Sequence, residues 1–138
     1  MTESREFFRV DAPVPMFVRS LTKDEGKRCS CHLSEKGFDK TLKKTLIRKI
    51  NISGAGICFE NDLPFTPEDI LEMRLMLEEA YDGIIGLCVK VLRVEKLSRN
   101  YRIAVNYVDM SENIRELIVA FVFKRERTLI QEKRVGWL

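Results

Sequence analysis

The chain has 138 residues, of which 45% are hydrophobic and 33% are charged. This length and balance predict one folded domain over residues 1–138 and exclude a wholly disordered chain. The 24 basic and 21 acidic residues give a formal net charge of +3. Proteins that bind nucleic-acid polymers usually concentrate more positive charge, so the balance favours a small anionic ligand.

The sequence contains no segment that predicts export or membrane insertion. No apolar run approaches the ~18 residues of a membrane-spanning helix, and residues 1–6 lack the apolar stretch of a signal peptide. We therefore expect a cytoplasmic protein. In that compartment its four cysteines are expected to be reduced thiols.

The first predicted strand contains Val14, Met16 and Val18, which alternate as in a strand with one buried face. Pro13 and Pro15 lack backbone donors, so they predict an edge position for that part of the strand. Residues 22–45 follow; they are rich in lysine and weakly patterned. We interpret them as an insertion that forms a long loop or an irregular hairpin.

Five more stretches have the apolar pattern of strands, some with clear alternation: 46–52, 57–59, 70–78, 85–94 and 101–107. Turn signals rich in proline, glycine, asparagine and aspartate separate most of them. After Val91 the apolar parity shifts to Leu92 and Val94. This shift predicts a β-bulge near Val91–Arg93.

The hydrophobic period changes after residue 108. Asp109 predicts a helix N-cap, with Glu112 three residues later. The helical spacing that follows predicts a helix over 111–134, whose core face contains Ile114, Leu117, Ile118, Phe121 and Val122. Six short antiparallel strands before one helix predict an all-β fold: a six-stranded antiparallel β-barrel over 10–110 with the helix packed on it.

Two short motifs stand out from this background. The first is Arg5-Glu6-Phe7-Phe8-Arg9 and the second is Asn51-Ile52-Ser53-Gly54-Ala55-Gly56. Together they resemble the RxxxR and [D/N]xSxxG signatures of the PilZ domain family, in the right order, and the strand pattern extends the resemblance over nearly the whole chain. The chain departs from the family where Ala104 replaces a usual glycine and where Ser4 replaces a frequent basic residue.

The resemblance implies a receptor for the bacterial second messenger cyclic di-GMP, without catalysis and without a metal or other cofactor. In the family the arginine segment, here residues 1–9, is a mobile strap that closes over the ligand, and the second motif receives it on the barrel. The ligand-binding residues carried over by the motif letters are Arg5, Arg9, Asn51, Ser53, Gly54 and Gly56.

The chemistry of these residues suits such a ligand. A guanidinium donates in parallel to guanine O6 and N7 or to two phosphate oxygens. Asn51 and Ser53 share strand parity, so both are expected to point at the ligand, and the two glycines are expected to permit positive φ and close backbone approach. Phe7 and Phe8 are interpreted as packing residues, with stacking on guanine as the alternative.

Other functions remain open at this stage. One is a PilZ-like protein-interaction module that has lost nucleotide binding, and another is a small barrel that binds RNA, which predicts a basic and aromatic strand face. A third is a metal-dependent enzyme that uses Cys29, Cys31 and His32, although their spacing does not match a structural zinc site.

The helix also carries a candidate interaction surface. If the apolar core face of the helix packs on the barrel, Val119 and Phe123 form a second apolar stripe that points away from the barrel and is available to a partner. We therefore expect a downstream protein partner and consider a homodimer through this stripe; a wide groove that buries both stripes is the alternative. The family's outputs include motility, surface polysaccharide and biofilm control.

Overall fold

The structure is a computed structural model that describes residues 8–35 and 45–136. Its strands are β1 (Arg9–Ser20), β2 (His32–Ser34), β3 (Leu46–Ser53), β4 (Gly56–Asn61), β5 (Ile70–Leu75), β6 (Ile84–Lys96) and β7 (Tyr101–Tyr107). Its helices are α1 (Lys23–Arg28) and α2 (Glu112–Gly136).

Six of these strands form a closed antiparallel barrel. Their order is β6-β5-β1-β3-β4-β7, and β7 pairs back onto β6. The short strand β2 adds to β6 outside this closed set. The predicted six-stranded barrel with a C-terminal helix is therefore confirmed, with one additional strand.

The core lies inside the barrel, where alternate residues of each strand point inward. The buried side chains include Val14 and Met16 on β1, Leu71 and Met73 on β5, and Ile103 and Val105 on β7. Ile114, Ile118, Phe121 and Val122 of α2 belong to the same core. The predicted apolar face of the helix thus packs on the barrel, where α2 lies against β1 and β3.

Strand β1 has different partners along its length. Residues Arg9–Met16 pair with β3, and residues Met16–Ser20 pair with β5. Pro13 and Pro15 therefore lie in the half of β1 that has one ladder partner within the described ranges. The predicted edge position is nevertheless wrong, because β1 lies between β3 and β5 in the closed barrel and the carbonyl of Pro15 accepts a hydrogen bond of 3.2 Å from the N–H of Met76, just after β5.

The interpretation of residues 22–45 as a loop or irregular hairpin is wrong for the part that the structure describes. Residues Lys23–Arg28 form α1, and His32–Ser34 form β2 against β6. Thr22 and Glu25 make a capping box: each side chain accepts from the other residue's backbone N–H. The T-x-x-E signature of that box was present in the sequence. Residues 36–44 lie outside the described ranges.

The predicted bulge is confirmed, because the β6–β7 register shifts between Val91 and Arg93. The long helix begins at Glu112, close to the predicted residue 111, but the predicted N-cap needs correction. Ser111 caps α2, since its Oγ accepts from the N–H of Ile114 at 3.3 Å. Asp109 instead has a φ of 51°, outside the extended region that an N-cap occupies. In the described part of the chain, no helix is both long and apolar enough to cross a bilayer.

Candidate functional site

The two motifs meet on neighbouring strands. In the β1–β3 register Arg9 lies opposite Ser53, and Asp11 lies opposite Asn51. Arg9 is exposed and is the first residue of β1, so it belongs to the barrel wall. Arg5 lies outside the described residues. The second motif arginine and the Asn-x-Ser motif are therefore joined by backbone pairing.

The strand register extends this relationship over five of the six barrel strands. Asn51 pairs with Cys58, Cys58 pairs with Ala104, and Ala104 pairs with Arg93. Together with Asp11 these residues form a row over five adjacent strands, and all five line one surface groove of about 410 Å³. The groove also borders Arg9 and Gly56. Ala104, where the family usually has glycine, thus lies on the groove floor.

Two arginines border the groove from opposite ends of the row. Arg9 approaches from β1, and Arg93 approaches from β6 beside the bulge; both are exposed. Their guanidinium groups can each form paired hydrogen bonds with a phosphate or a guanine edge. Arg93 was not among the predicted site residues, because in a regular strand its parity would direct it into the barrel.

Asp11 is a second residue that the sequence prediction missed. Its Oδ1 accepts a hydrogen bond of 3.1 Å from Nδ2 of Asn51. This bond orients the amide of Asn51 on the groove floor. Asp11 has the same strand parity as Arg9, and that spacing could have identified it.

The expectation that Ser53 points at the ligand alongside Asn51 is not met. Ser53 is 1% exposed, and its Oγ accepts from the N–H groups of Ala55 and Gly56 at 3.1 and 3.3 Å. The hydroxyl also donates to the carbonyl oxygen of Gly56 at 3.4 Å. The orientation predicted from strand parity is wrong for Ser53 because β3 ends at this residue. Its side chain instead stabilises the turn that follows.

The positive φ predicted for the glycines of this turn is not found. Within the described ranges, no glycine has a positive φ. A Cβ at Gly56 would overlap the carbonyl oxygen of Val105 on β7. Glycine is therefore required at position 56 because two barrel strands approach closely there. The structure brings Gly54 into the same turn, where it is buried.

Two side chains from distant parts of the chain hold this turn. Tyr107 Oη donates to the carbonyl oxygen of Ser53 at 2.6 Å. Arg115 Nη1, on α2, donates to the carbonyl oxygen of Gly54 at 2.6 Å. Burial raises the pKa of Tyr107, so its hydroxyl remains a neutral donor. The motif turn is thus fixed by both the barrel and the helix.

Phe8 packs on α2, in agreement with its predicted packing role. Its ring makes an edge-to-face contact with Phe123, with a centroid distance of 5.5 Å. Phe123 therefore points away from the core, as predicted, but part of it is covered by the chain's own N-terminal segment. Phe7 lies outside the described residues.

The residues of the possible metal site hold β2 on the barrel wall. Cys31 Sγ donates to the carbonyl oxygen of Val108 at 3.3 Å and accepts from the N–H of Cys88 at 3.4 Å. The ring of His32 covers Gly86, where a Cβ would lie 2.6 Å from His32 Cε1. Over residues 8–35 and 45–136, no group of three potential ligands is arranged to hold a metal ion.

Comparison with solved structures finds several that share this fold. A tetrameric PilZ domain protein of Xanthomonas campestris, described as self-assembled through a helical bundle, is 9% identical with a TM-score of 0.65. The match covers 91% of each chain. The Bacillus subtilis inhibitor of motility is 15% identical with a TM-score of 0.63, over 90% of this chain and 52% of its own.

Escherichia coli YcgR, solved in complex with c-di-GMP, is 13% identical with a TM-score of 0.61. That match covers 96% of this chain and 50% of YcgR. The chain therefore spans about half the length of the Bacillus and Escherichia proteins. A search of the curated proteins finds no match.

The family model of the PilZ domain matches residues 3–124. That range includes both motifs, the barrel and the first half of α2. The closed six-stranded barrel and the pairing of Arg9 with Ser53 agree with this match. The chain belongs to the PilZ domain family.

Proposed function

We propose that this domain is a receptor for cyclic di-GMP, which binds in the groove between Arg9 and Arg93. The observation that carries the proposal is the register of β1 and β3, which pairs Arg9 with Ser53 and so joins the two PilZ motifs on one surface. That E. coli YcgR was solved with this nucleotide supports the same ligand for this chain.

The groove offers groups that match the chemistry of the ligand. Cyclic di-GMP carries two phosphates and two guanine edges. Arg9 and Arg93 offer paired N–H donors from the two ends of the groove. Asn51, oriented by Asp11, offers an amide for a base edge. Ala104 and Gly56 line the floor with little side-chain bulk, which permits close approach of a flat ring.

We further infer that the residues preceding Arg9, which itself begins β1 on the barrel wall, act as the strap predicted from the family. If the segment is extended, Arg5 lies roughly 13 Å from Arg9, so the two arginines can contact different parts of one nucleotide. Ordering this segment on the ligand would change the surface beside the groove. A downstream protein that recognises the changed surface would receive the signal without any catalytic step.

The binding proposal is tested by isothermal titration of cyclic di-GMP into the purified protein. We expect saturable binding, and a loss of about 10- to 100-fold in affinity for Arg9→Ala, because a charged hydrogen bond contributes about 1.5–3 kcal/mol. Arg99→Ala is the matched control, since Arg99 is also exposed but lies in the turn between β6 and β7.

Two outcomes would replace the proposal. If no heat is released at about 50 µM protein, the domain is a PilZ-like interaction module without nucleotide binding. If excess RNA displaces the nucleotide, the groove is an RNA-binding surface. Binding that survives Arg9→Ala unchanged would contradict the assigned site.

We also propose self-association through α2, as predicted for the stripe that contains Val119 and Phe123. Phe123 and Ile130 are exposed apolar residues seven positions apart on the helix, a spacing that allows one helix face to pack against another. The helical bundle of the Xanthomonas tetramer supports this proposal. Sedimentation equilibrium tests it: Ile130→Ser is expected to shift the protein toward monomer, and a monomeric parent protein would refute it.

A further inference from the structure

The motif turn receives hydrogen bonds from Tyr107 of the barrel, to the carbonyl oxygens of Ser53 and Gly56, and from Arg115 of the long helix. Tyr107 at the end of β7 contacts the carbonyl oxygen of Ser53, and Arg115 contacts the next carbonyl, that of Gly54. Both distances are 2.6 Å. Because a guanidinium is charged, the bond from Arg115 belongs to the stronger class of hydrogen bonds.

Two of the turn's N–H groups are satisfied within the turn itself. The N–H groups of Ala55 and Gly56 both donate to the Oγ of Ser53. If Arg115 is lost, the carbonyl of Gly54 loses this partner while buried, which favours rotation of the Gly54–Ala55 peptide. Such a rotation would disturb the hydrogen bonds that close the turn, and Ala55 and Gly56 both border the groove.

The same helix also contacts the arginine segment. Phe123 of α2 packs on Phe8, and Phe8 directly precedes Arg9. Arg115 and Phe123 are eight residues apart, which corresponds to about 12 Å along the helix. Helix α2 therefore touches both halves of the site: the turn through Arg115 and the arginine segment through Phe123.

We propose that Arg115 is a positioning residue of the nucleotide site and that it couples the docking of α2 to nucleotide binding. This inference rests on the proposed function. The coupling is reciprocal, as linkage requires: nucleotide binding stabilises the docked helix, and any partner that pulls α2 from the barrel weakens nucleotide binding. Helix α2 is then the element through which the occupied site reaches a partner.

The chain offers a matched pair of arginines for the test. Arg115 and Arg125 lie on the same helix, their side chains are 26% and 24% exposed, and each has a glutamate oxygen at 3.6 Å. Arg125 pairs with Glu79. Glu79 lies in the connection between β5 and β6 and is not part of the motif turn. Arg115→Met and Arg125→Met remove the same charge and keep similar aliphatic volume.

The first measurement is cyclic di-GMP affinity by titration calorimetry. We expect Arg115→Met to weaken binding about tenfold and Arg125→Met to change it less than twofold. Arg115→Lys, which keeps a charged donor, is expected to recover part of the loss. Equal affinities for the two methionine variants, or a lysine variant as weak as Arg115→Met, would overturn the proposal.

The second measurement is amide hydrogen exchange in the protein without nucleotide. We expect the amides of Ala55 and Gly56 to exchange faster in Arg115→Met than in Arg125→Met at matched global stability, determined by urea unfolding. Unchanged exchange at these amides would overturn the positioning role. The exchange measurement distinguishes failure of the nucleotide-binding proposal from failure of the Arg115 proposal. If the parent protein binds no nucleotide, the proposed function is wrong, but the exchange rates still show whether Arg115 holds the turn.

The third measurement is exchange along α2 with and without cyclic di-GMP. We expect nucleotide to slow exchange of α2 amides in the parent protein and in Arg125→Met, but much less in Arg115→Met. Equal protection in all three proteins would overturn the coupling.

Discussion

The phenol of Tyr107 donates to the carbonyl oxygen of Ser53 although the two residues are 54 positions apart in the chain. Tyr107 is the last residue of β7, and Ser53 is the last residue of β3. The bond therefore ties two strand ends together at the place where the Asn-x-Ser motif turns into β4. The shape of the motif turn therefore depends on β7, which is the last barrel strand in the sequence.

Removing this hydroxyl tests the energetic importance of the bond. We expect Tyr107→Phe to lower the free energy of unfolding by about 1–2 kcal/mol, because the carbonyl of Ser53 loses a buried partner. Urea unfolding measures the change. Tyr101→Phe is the control on the same strand, since the hydroxyl of Tyr101 makes no hydrogen bond within residues 8–35 and 45–136. Equal losses in the two variants would contradict the assignment.

The same phenol predicts a change in stability at alkaline pH. Burial raises the pKa of Tyr107 above its ordinary value of 10.0, so the unfolded chain ionises this group before the folded chain does. The stabilisation from the neutral phenol is complete below about pH 10 and decreases above it. The difference in unfolding free energy between the parent and Tyr107→Phe should therefore be constant to about pH 9.5 and narrow above pH 10. A widening difference would contradict the direction of the shift.

Gly56 is expected to resist substitution because of its neighbour. A Cβ at this position would overlap the carbonyl oxygen of Val105, which is backbone and cannot rotate away. We expect Gly56→Ala to reduce the free energy of unfolding by about 2–3 kcal/mol.

Gly26 provides the comparison for that substitution. Its Cβ would meet the side chain of Ile70 at an ordinary 3.5 Å, and it lies within α1. Gly26→Ala is expected to be neutral or to stabilise by up to about 1 kcal/mol, because alanine favours the helix. Thermal and urea unfolding of both variants check the pair; a harmless Gly56→Ala would mean that β4 and β7 lie farther apart than described.

Arg93 is expected to contribute to nucleotide affinity even though it belongs to neither motif. It lines the groove opposite Arg9 and is exposed, so its contribution should be screened by salt. We expect Arg93→Ala to weaken cyclic di-GMP binding about three- to tenfold at low salt, with a smaller effect at about 0.5 M salt. Arg99→Ala again serves as control, and an Arg93→Ala protein that binds normally would remove Arg93 from the site.

The contact between Phe8 and Phe123 can be measured by a double-mutant cycle on unfolding free energy. Edge-to-face pairs contribute about 0.5–1.5 kcal/mol. Phe8 and Phe123 are 54% and 42% exposed as whole residues, so we expect a coupling of about 0.5 kcal/mol. Strictly additive effects of Phe8→Ala and Phe123→Ala would show that the N-terminal segment does not rest on α2 in solution.

The barrel could be predicted from the sequence because the alternation of apolar and polar residues that marks each strand involves only residues close together in the chain. Alternation such as that of Leu71 and Met73 directly reports which side of a strand is buried. The inward position of Val94 reported the bulge, although Leu92, assigned to the same buried side, is exposed. Helix α1 was missed because it is only six residues long and has no apolar face, although its capping box was visible. The N-cap was misassigned because Asp109 and Ser111 both suit that role by residue type.

The site was only partly predictable for a different reason. The motif letters pointed to Arg9 and Asn51, which both line the candidate groove. The position of the Ser53 side chain depends on where β3 ends, and strand parity does not predict that end. Arg115 could not be found from sequence, because its contact with Gly54 spans 61 residues and depends on how α2 docks. From sequence alone, an arginine on an amphipathic helix is normally interpreted as a solvent-exposed charge.

The bulge in β6 has a consequence for how the groove can change. Because Val91 pairs with Val105 and Val94 pairs with Ile103, both sides of the irregularity keep their apolar side chains inward. The extra residue therefore turns Arg93 out of the barrel, beside the exposed Leu92, so that both side chains line the groove without altering the interior. We therefore expect substitutions at these two positions to change the surface of the groove while the stability of the barrel is left intact.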